Sequence, residues 1–372
     1  MSRALALAVA LVIGACTTQS PGVTPTPVPT REPGVLSVTA LLDLTGSREP
    51  GGAAQREALQ LWADQHATGT PRVRLRIVDV AGSPSKSALE LRHAAVEDDA
   101  DAIIIGASVG YEDAFAHAVQ ITARPVLFTL PIGDPAVAGG GWAFALGPTP
   151  TQLARATLDD AAARATLSST TVVSDESVTA VVERAALSAE LVRRGVTPTI
   201  VKVTSSDATQ TLRPIVLSTK PVVLAGIPST YAEAARGAAV GTTLYLSYMC
   251  DFADIADLRD GAFLATWPGS RWIAASTAPT ASPARLSFMQ AYTARAGPPT
   301  SVAATAYDAL GLLVNAAADG IGPGDMRDRL ETVAYVGVAT TYSFTASRRA
   351  GFAAADLALL RYVGSRTAPL VR

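Results

Sequence analysis

The sequence is short of the residues on which most enzyme chemistry depends. Its 372 residues include two cysteines and three histidines, and neither type recurs at the spacing of a metal site. No metal and no cofactor is therefore expected. Aromatics make up only 6% of the chain, so alanine and valine carry most of its 49% hydrophobic content. Net charge is −2 with both signs interspersed, which argues against nucleic acid or polybasic membrane docking as partners. Lysine is nearly absent: three residues against 27 arginines suggest a GC-rich genome and hence an actinobacterium. Beyond the first residues, no apolar run approaches the ~20 residues of a membrane span.

What the N-terminus does contain is an export signal. Arg3 supplies a charge, Ala4 to Ile13 an apolar stretch, and Gly14-Ala15 a small-residue site before Cys16. That stretch is too short for a spanning helix. The ending Ile13-Gly14-Ala15-Cys16 resembles a bacterial lipobox, which implies cleavage after residue 15 and lipidation of Cys16. Residues 16–34 then form a tether. Positions 17–34 hold five prolines, five threonines and no apolar periodicity, so they stay extended over roughly 55 Å at ~3.1 Å per residue. Lipidation would leave Cys250 without a disulfide partner; its apolar setting marks it as a small buried residue.

From residue 35 onward strand-like and helix-like runs alternate. Residues 36–42, 73–80, 100–108 and 122–131 read as strands, and 53–67 and 84–97 as helices. The 73–80 run alternates apolar residues with Arg74 and Arg76, the pattern of an edge strand. A second block has strands at 169–175, 199–203, 221–226 and 242–248. Such alternation implies parallel sheets, because parallel strands need crossover connections. About 340 residues exceed one core, so the expected fold class is α/β with two lobes, each a mostly parallel sheet flanked by helices, joined by hinge crossovers. Lobe 1 is assigned residues 35–147 plus 267–332, and lobe 2 residues 148–266 plus 333–372.

The order of these pieces resembles the type I periplasmic solute-binding proteins of branched-chain amino acid ABC transporters, over about 36–365. The resemblance rests on LLDLTG (41–46), IVDVAGSPSKSALE (77–90), DAIIIGASVG (101–110), RPVLFTLP (124–131) and SVAATAYDALGLLVNAAADG (301–320), with Tyr307-Asp308-Ala309 at the family's Tyr-Asp-Ala. It implies a monomeric receptor that closes two lobes on a small polar ligand, amino-acid-like or an amide, and hands it to an ABC permease. The membrane would be met through the lipid anchor alone, on the extracytoplasmic face. The sequence also departs from the pattern. Where the family offers hydroxyls to a ligand carboxylate, this chain has Gly110, with Ser108 two residues early, and Gly133. Gly51-Gly52 stand where an aromatic is common, and no tyrosine follows SDES (174–177). Asp251 resembles the acid that meets a ligand amine.

Ligands of such folds bind beyond the carboxyl ends of the strands. That rule nominates Thr45, Gly46, Ser108, Gly110, Tyr111, Gly133, Asp134, Ser174, Asp175, Tyr231 and Asp251. For each, turn-making or capping is the plain structural alternative. A ligand sensor or a non-binding scaffold of the same fold would share the pattern. A remoter alternative is a serine hydrolase, since Gly106-Ala107-Ser108-Val109-Gly110 matches G-x-S-x-G after an apolar strand. Its base must be a histidine within hydrogen-bond reach. His66 and His93 precede the serine, and no histidine follows His117, so no enzyme activity is expected.

Overall fold

The computed structural model describes residues 32–110, 113–133, 141–251, 261–269, 282–317, 322–363 and 366–369. The expected signal, Cys16 and most of the tether lie outside these residues. No helix among the described residues is long and apolar enough to cross a membrane.

The first sheet holds β1 (Val35–Leu42), β2 (Arg72–Asp79), β3 (Ala102–Ile105), β4 (Val126–Phe128) and β5 (Ala143–Ala145). Its order is β2-β1-β3-β4-β5, and every neighbouring pair is parallel. The wholly buried Ala-Ile-Ile-Ile of β3 suits a central strand covered on both faces. At the edge, Arg72, Arg74 and Arg76 of β2 are exposed, which discourages pairing with another chain. Helix α2 (Pro84–Val96) starts as its sequence predicts: the Ser83 hydroxyl accepts the Lys86 N–H at 3.2 Å, and Pro84 takes the first position. Helix α1 (Glu49–Gln65) begins four residues earlier than its periodicity suggests and takes in Gly51-Gly52. A Cβ at Gly52 would lie 1.8 Å from the Asp43 carbonyl oxygen. Glycine there lets the helix start against the end of β1.

The second sheet joins β6 (Thr171–Ser174), β7 (Thr199–Lys202), β8 (Val222–Ala225), β9 (Leu244–Leu246) and β10 (Phe263–Thr266), all parallel, with two late antiparallel strands, β13 (Ala358–Val363) and β14 (Arg366–Pro369). Its order is β14-β13-β10-β9-β8-β6-β7. Between its strands run α5 (Val178–Arg193), α6 (Ala208–Val216) and α7 (Pro228–Arg236), and α4 (Pro150–Ala163) leads into it. A capping box starts α4, with Thr149 and Gln152 exchanging side-chain and backbone bonds.

The late helices α8 (Pro283–Ala296), α9 (Ser301–Ala316) and α10 (Pro323–Leu330) return to the first sheet. Trp62 and Leu59 of α1, Phe288 and Tyr292 of α8, and Leu310 and Leu313 of α9 share one core with Val38 and Ile104. Residues 333–352, assigned above to the second lobe, do not sit there. Val338, Ala339, Tyr342, Phe344 and Phe352 belong to that same first core, and Ala350 bridges Ala145 beside β5. Within this stretch β11 (Tyr335–Val336) and β12 (Thr341–Tyr342) form a small antiparallel pair. The reason is packing: the tyrosine and two phenylalanines need an apolar partner, and α9 with Phe144 supplies it. The chain thus passes between the sheets three times: before α4, after β10, and between Phe352 and β13.

The 338–342 stretch is fixed to the first lobe by opposed charges. Asp308 of α9, fully buried, accepts the N–H groups of Val338 (2.7 Å) and Ala339 (2.8 Å) and the Tyr342 hydroxyl (3.0 Å). Arg285 of α8 donates to the carbonyls of the same two residues, at 2.6 and 3.3 Å. The acid of Tyr307-Asp308-Ala309 is therefore structural: it fixes backbone, and burial pushes its pKa up to about 7 despite its three donors.

Candidate functional site

The carboxyl ends of the first sheet's strands are tied into one framework. Asp43, just past β1, accepts Gly82 N–H at 2.8 Å, Ser108 N–H at 3.1 Å and the Arg48 guanidinium at 3.1 Å. Gln55 of α1 donates to the Gly106 carbonyl at 2.8 Å and accepts the Thr129 hydroxyl. Loops after four of the five strands are thus fixed by two buried polar side chains. Asp79 holds a turn: it takes Leu44 N–H, Ala81 N–H and the Thr45 hydroxyl at 2.8–2.9 Å. Against the upward pull of partial burial, those donors lower its pKa.

On the second sheet the strand-end acids are likewise engaged. Asp175 accepts Ser177 N–H at 2.9 Å and Ile227 N–H at 2.8 Å, and its own N–H reaches the Tyr231 hydroxyl at 2.6 Å. Tyr231 in turn donates to the Ala225 carbonyl. The Ser174 hydroxyl donates to the Asp175 carbonyl and accepts from Arg184 at 2.9 Å. Glu183 of α5 accepts Gly226 N–H at 2.8 Å and the Ser247 hydroxyl at 2.7 Å, and burial pushes it up to about 8. Asp251 accepts Ser301 N–H at 2.7 Å, at the start of α9.

Between the two sheets lies a cavity of about 790 Å³, within the range of small-molecule sites. Gly110 and Gly133 form its wall on the first lobe, after β3 and β4. Thr149, Pro150 and Thr151 border it at the first crossing, and Ser347 to Ala350, beside β5, border it on the first lobe. The second lobe contributes Glu176 and one face of α5: Val178, Val181, Val182, Ala185 and Ala186.

The site nominated from sequence is therefore only partly assembled. Gly110 and Gly133 line the cavity. Ser108 is buried beside it, its N–H on Asp43 and its hydroxyl without a partner, so no histidine bonds to that oxygen. Thr45 and Gly46 are exposed in the Asp79 turn. Ser174, Asp175, Tyr231 and Asp251 are buried among their own bonds and absent from the lining. Tyr111 and Asp134 fall outside the described residues.

Sequence reasoning missed the α5 face, whose i, i+3, i+4, i+7, i+8 spacing reads as ordinary core. The burial pattern of the helix shows its second role. The other face of the same helix buries Glu183 and Glu190, 9% and 3% exposed, while Val181 is 39% exposed. The inward face also carries Leu187 and Leu191 into the core, so the helix is apolar on two sides and its outward valines are surplus to the core.

The model of the family described as periplasmic binding protein matches residues 36–366. Among solved structures, an extracellular ligand-binding receptor from Rhodopseudomonas palustris HaA2 superimposes with a TM-score of 0.76 at 17% identity, over 90% of this chain and 99% of that one. A branched-chain amino acid transporter substrate-binding protein from Streptococcus pneumoniae, in complex with isoleucine, gives 0.71 at 14% identity, over 90% and 97%. An ABC-transporter solute-binding protein from R. palustris, in complex with benzoate, gives 0.71 at 16%, over 91% and 96%. No curated protein matches the sequence.

Proposed function

The chain belongs to the periplasmic binding protein family, and from that premise we propose that it is an extracytoplasmic solute-binding lipoprotein that captures a small ligand between its lobes for an ABC importer. The observation that carries this reading is the 790 Å³ cavity between the sheets, walled on one side by the loops after β3 and β4 and on the other by α5. A ligand there touches both lobes, so it favours whichever lobe separation brings both walls into contact. The three backbone crossings serve as the hinge.

Cys16 is the proposed lipid attachment and residues 17–34 the tether that lets a monomeric receptor reach its permease. The receptor does no chemistry on its ligand. The Ser108 hydroxyl without a partner base supports that view, since an unactivated serine is a weak nucleophile.

The test is a thermal-shift screen of amino acids, small amides, organic acids and neutral solutes, followed by small-angle scattering. A ligand at 100 times its Kd adds about 2.7 kcal/mol, and the radius of gyration should fall on binding. A screen in which no solute stabilises the protein would remove the receptor reading.

A further inference from the structure

We infer that the turn Tyr248–Asp251 is a non-covalent strut between the two lobes, and that its hold on the cavity wall depends on whether Glu183 carries a proton. The turn follows β9 of the second sheet, yet its side chains divide between the lobes. Tyr248 and Met249 pack in the core of the first lobe, where the Tyr248 and Trp267 ring centres lie 5.9 Å apart, while Cys250 packs in the core of the second. At its far end Asp251 accepts the Ser301 N–H that opens α9. Its near end is fastened to α5. The Ser247 hydroxyl and the Tyr248 N–H both donate to Glu183, and the Tyr248 hydroxyl is hydrogen-bonded to Thr179. The strut thus adds a further tie to the backbone crossings, and it holds the helix whose Val178, Val181 and Val182 line the cavity.

Like charges meet where the proton sits. Glu183 takes the N–H of Gly226 at 2.8 Å, and Asp175 takes that of the next residue, Ile227, also at 2.8 Å. Two acids therefore converge on one turn after β8. The groups facing Glu183 are Asp175 after β6, Tyr231 of α7 and Tyr248 of the strut, with Asp43 and Arg48 of the first lobe beyond Tyr248. Arg184, next on α5, is engaged by Ser174 and Glu176 instead, and no cation among the described residues pairs with Glu183. Burial without a cation pushes Glu183 up to about 8, so the neutral acid is the form that fits: its O–H can donate to Ser247 while the other oxygen keeps Gly226. Once ionised, it repels Asp175 and calls for water. A cavity of about 30 Å³ beside it, bordered on α4 by Pro150, Leu153 and Thr157, has room for one. Because the folded value lies above the ordinary 4.5, the stability Glu183 contributes is complete below pH ~4.5 and is lost as pH rises through about 8. The strut grips α5 at neutral pH and releases it in alkali. What this means for ligand capture rests on the receptor reading; the strut itself does not.

The test is hydrogen exchange by mass spectrometry on the purified, ligand-free protein from pH 6 to 9, read as protection relative to the free-peptide rate at each pH. No ligand enters it, so its outcome is separate from that of the solute screen. Peptides covering α5 and residues 244–251 should exchange ahead of β3 at every pH, and together lose about 10-fold in protection between pH 7 and 9. Glu183→Gln imitates the neutral acid, with its NH2 toward Ser247 and its oxygen toward Gly226, and should keep that protection across the range. Should that variant fail to fold, Ser247→Ala removes one donor to the charged form and should move the loss to higher pH. Protection that does not change with pH, α5 opening without 244–251, both segments exchanging in step with β3, the same loss in Glu183→Gln, or a loss that Ser247→Ala leaves in place or moves to lower pH would each overturn the inference.

Discussion

Replacing Asp308 by asparagine or alanine should loosen the attachment of the 338–342 segment to the first lobe. Alanine strands three buried donors, the N–H groups of Val338 and Ala339 and the Tyr342 hydroxyl. At ~1–2 kcal/mol for each unmade bond, the loss is about 3 to 6 kcal/mol, comparable to the whole stability of many domains. Asparagine keeps the shape but places an amide NH2 against one set of donors, for a loss of about 2 kcal/mol. Its pH dependence is the sharper reading. Burial raises the Asp308 pKa from 3.8 to about 7, so the folded state binds the proton more tightly than the unfolded chain does. The stability this contributes is present in full below pH ~4 and is lost as pH rises through 7, at up to about 1.4 kcal/mol per pH unit. Glu183, raised to about 8, adds the same sign in both proteins and cancels in the difference. Urea unfolding followed by tryptophan fluorescence, at intervals from pH 4.5 to 8, measures it. Asp308→Asn should lie below the wild type at acid pH and overtake it as pH rises toward 8, because the roughly 4 kcal/mol the wild type loses over the shift from 3.8 to about 7 exceeds the asparagine's deficit. A constant offset, or a deficit that widens with pH, would show that Asp308 is ionised throughout and refute the argument from burial.

Other outcomes follow from the same contacts. Cys16→Ser should release the protein from membranes into the soluble fraction, because a single residue would carry the whole anchor; a variant still sedimenting with membranes after signal cleavage would contradict this. Ser108→Ala should abolish no hydrolytic activity on a generic ester, since the wild type should show none; turnover that disappears in the variant would restore the hydrolase. Asp251→Ala should destabilise the fold by about 1 to 3 kcal/mol through the stranded Ser301 N–H, with little change in affinity for a ligand found by thermal shift. A large loss of affinity at unchanged stability would return Asp251 to the ligand.

Elements were legible where their periodicity came from a single neighbour. The run Ala102 to Ile105 could only be a covered strand, the arginines of β2 could only mark an edge, and Ser83-Pro84 could only open a helix. The start of α1 was not, because its glycines answer to a carbonyl of β1 rather than to their own helix. Residues 333–352 looked like a continuation into the second lobe. Their aromatic side chains are satisfied by α9 and Phe144, a partnership made at a sequence distance no local pattern records.

The amino-acid order by itself determined the alternation of strand and helix, the division into two parallel sheets and the family resemblance, since these follow from local propensity and from the crossovers parallel strands require. Tertiary structure alone decided the site. An acid at a strand end reads the same whether it meets a ligand or caps a helix, and here Asp175 and Asp251 were claimed by backbone N–H groups. A valine stripe reads the same whether it packs on a sheet or faces a cavity, and here α5 turned Leu187 and Leu191 to the core and its valines to the cleft. Which partner a side chain finds is settled by surfaces that approach only after folding.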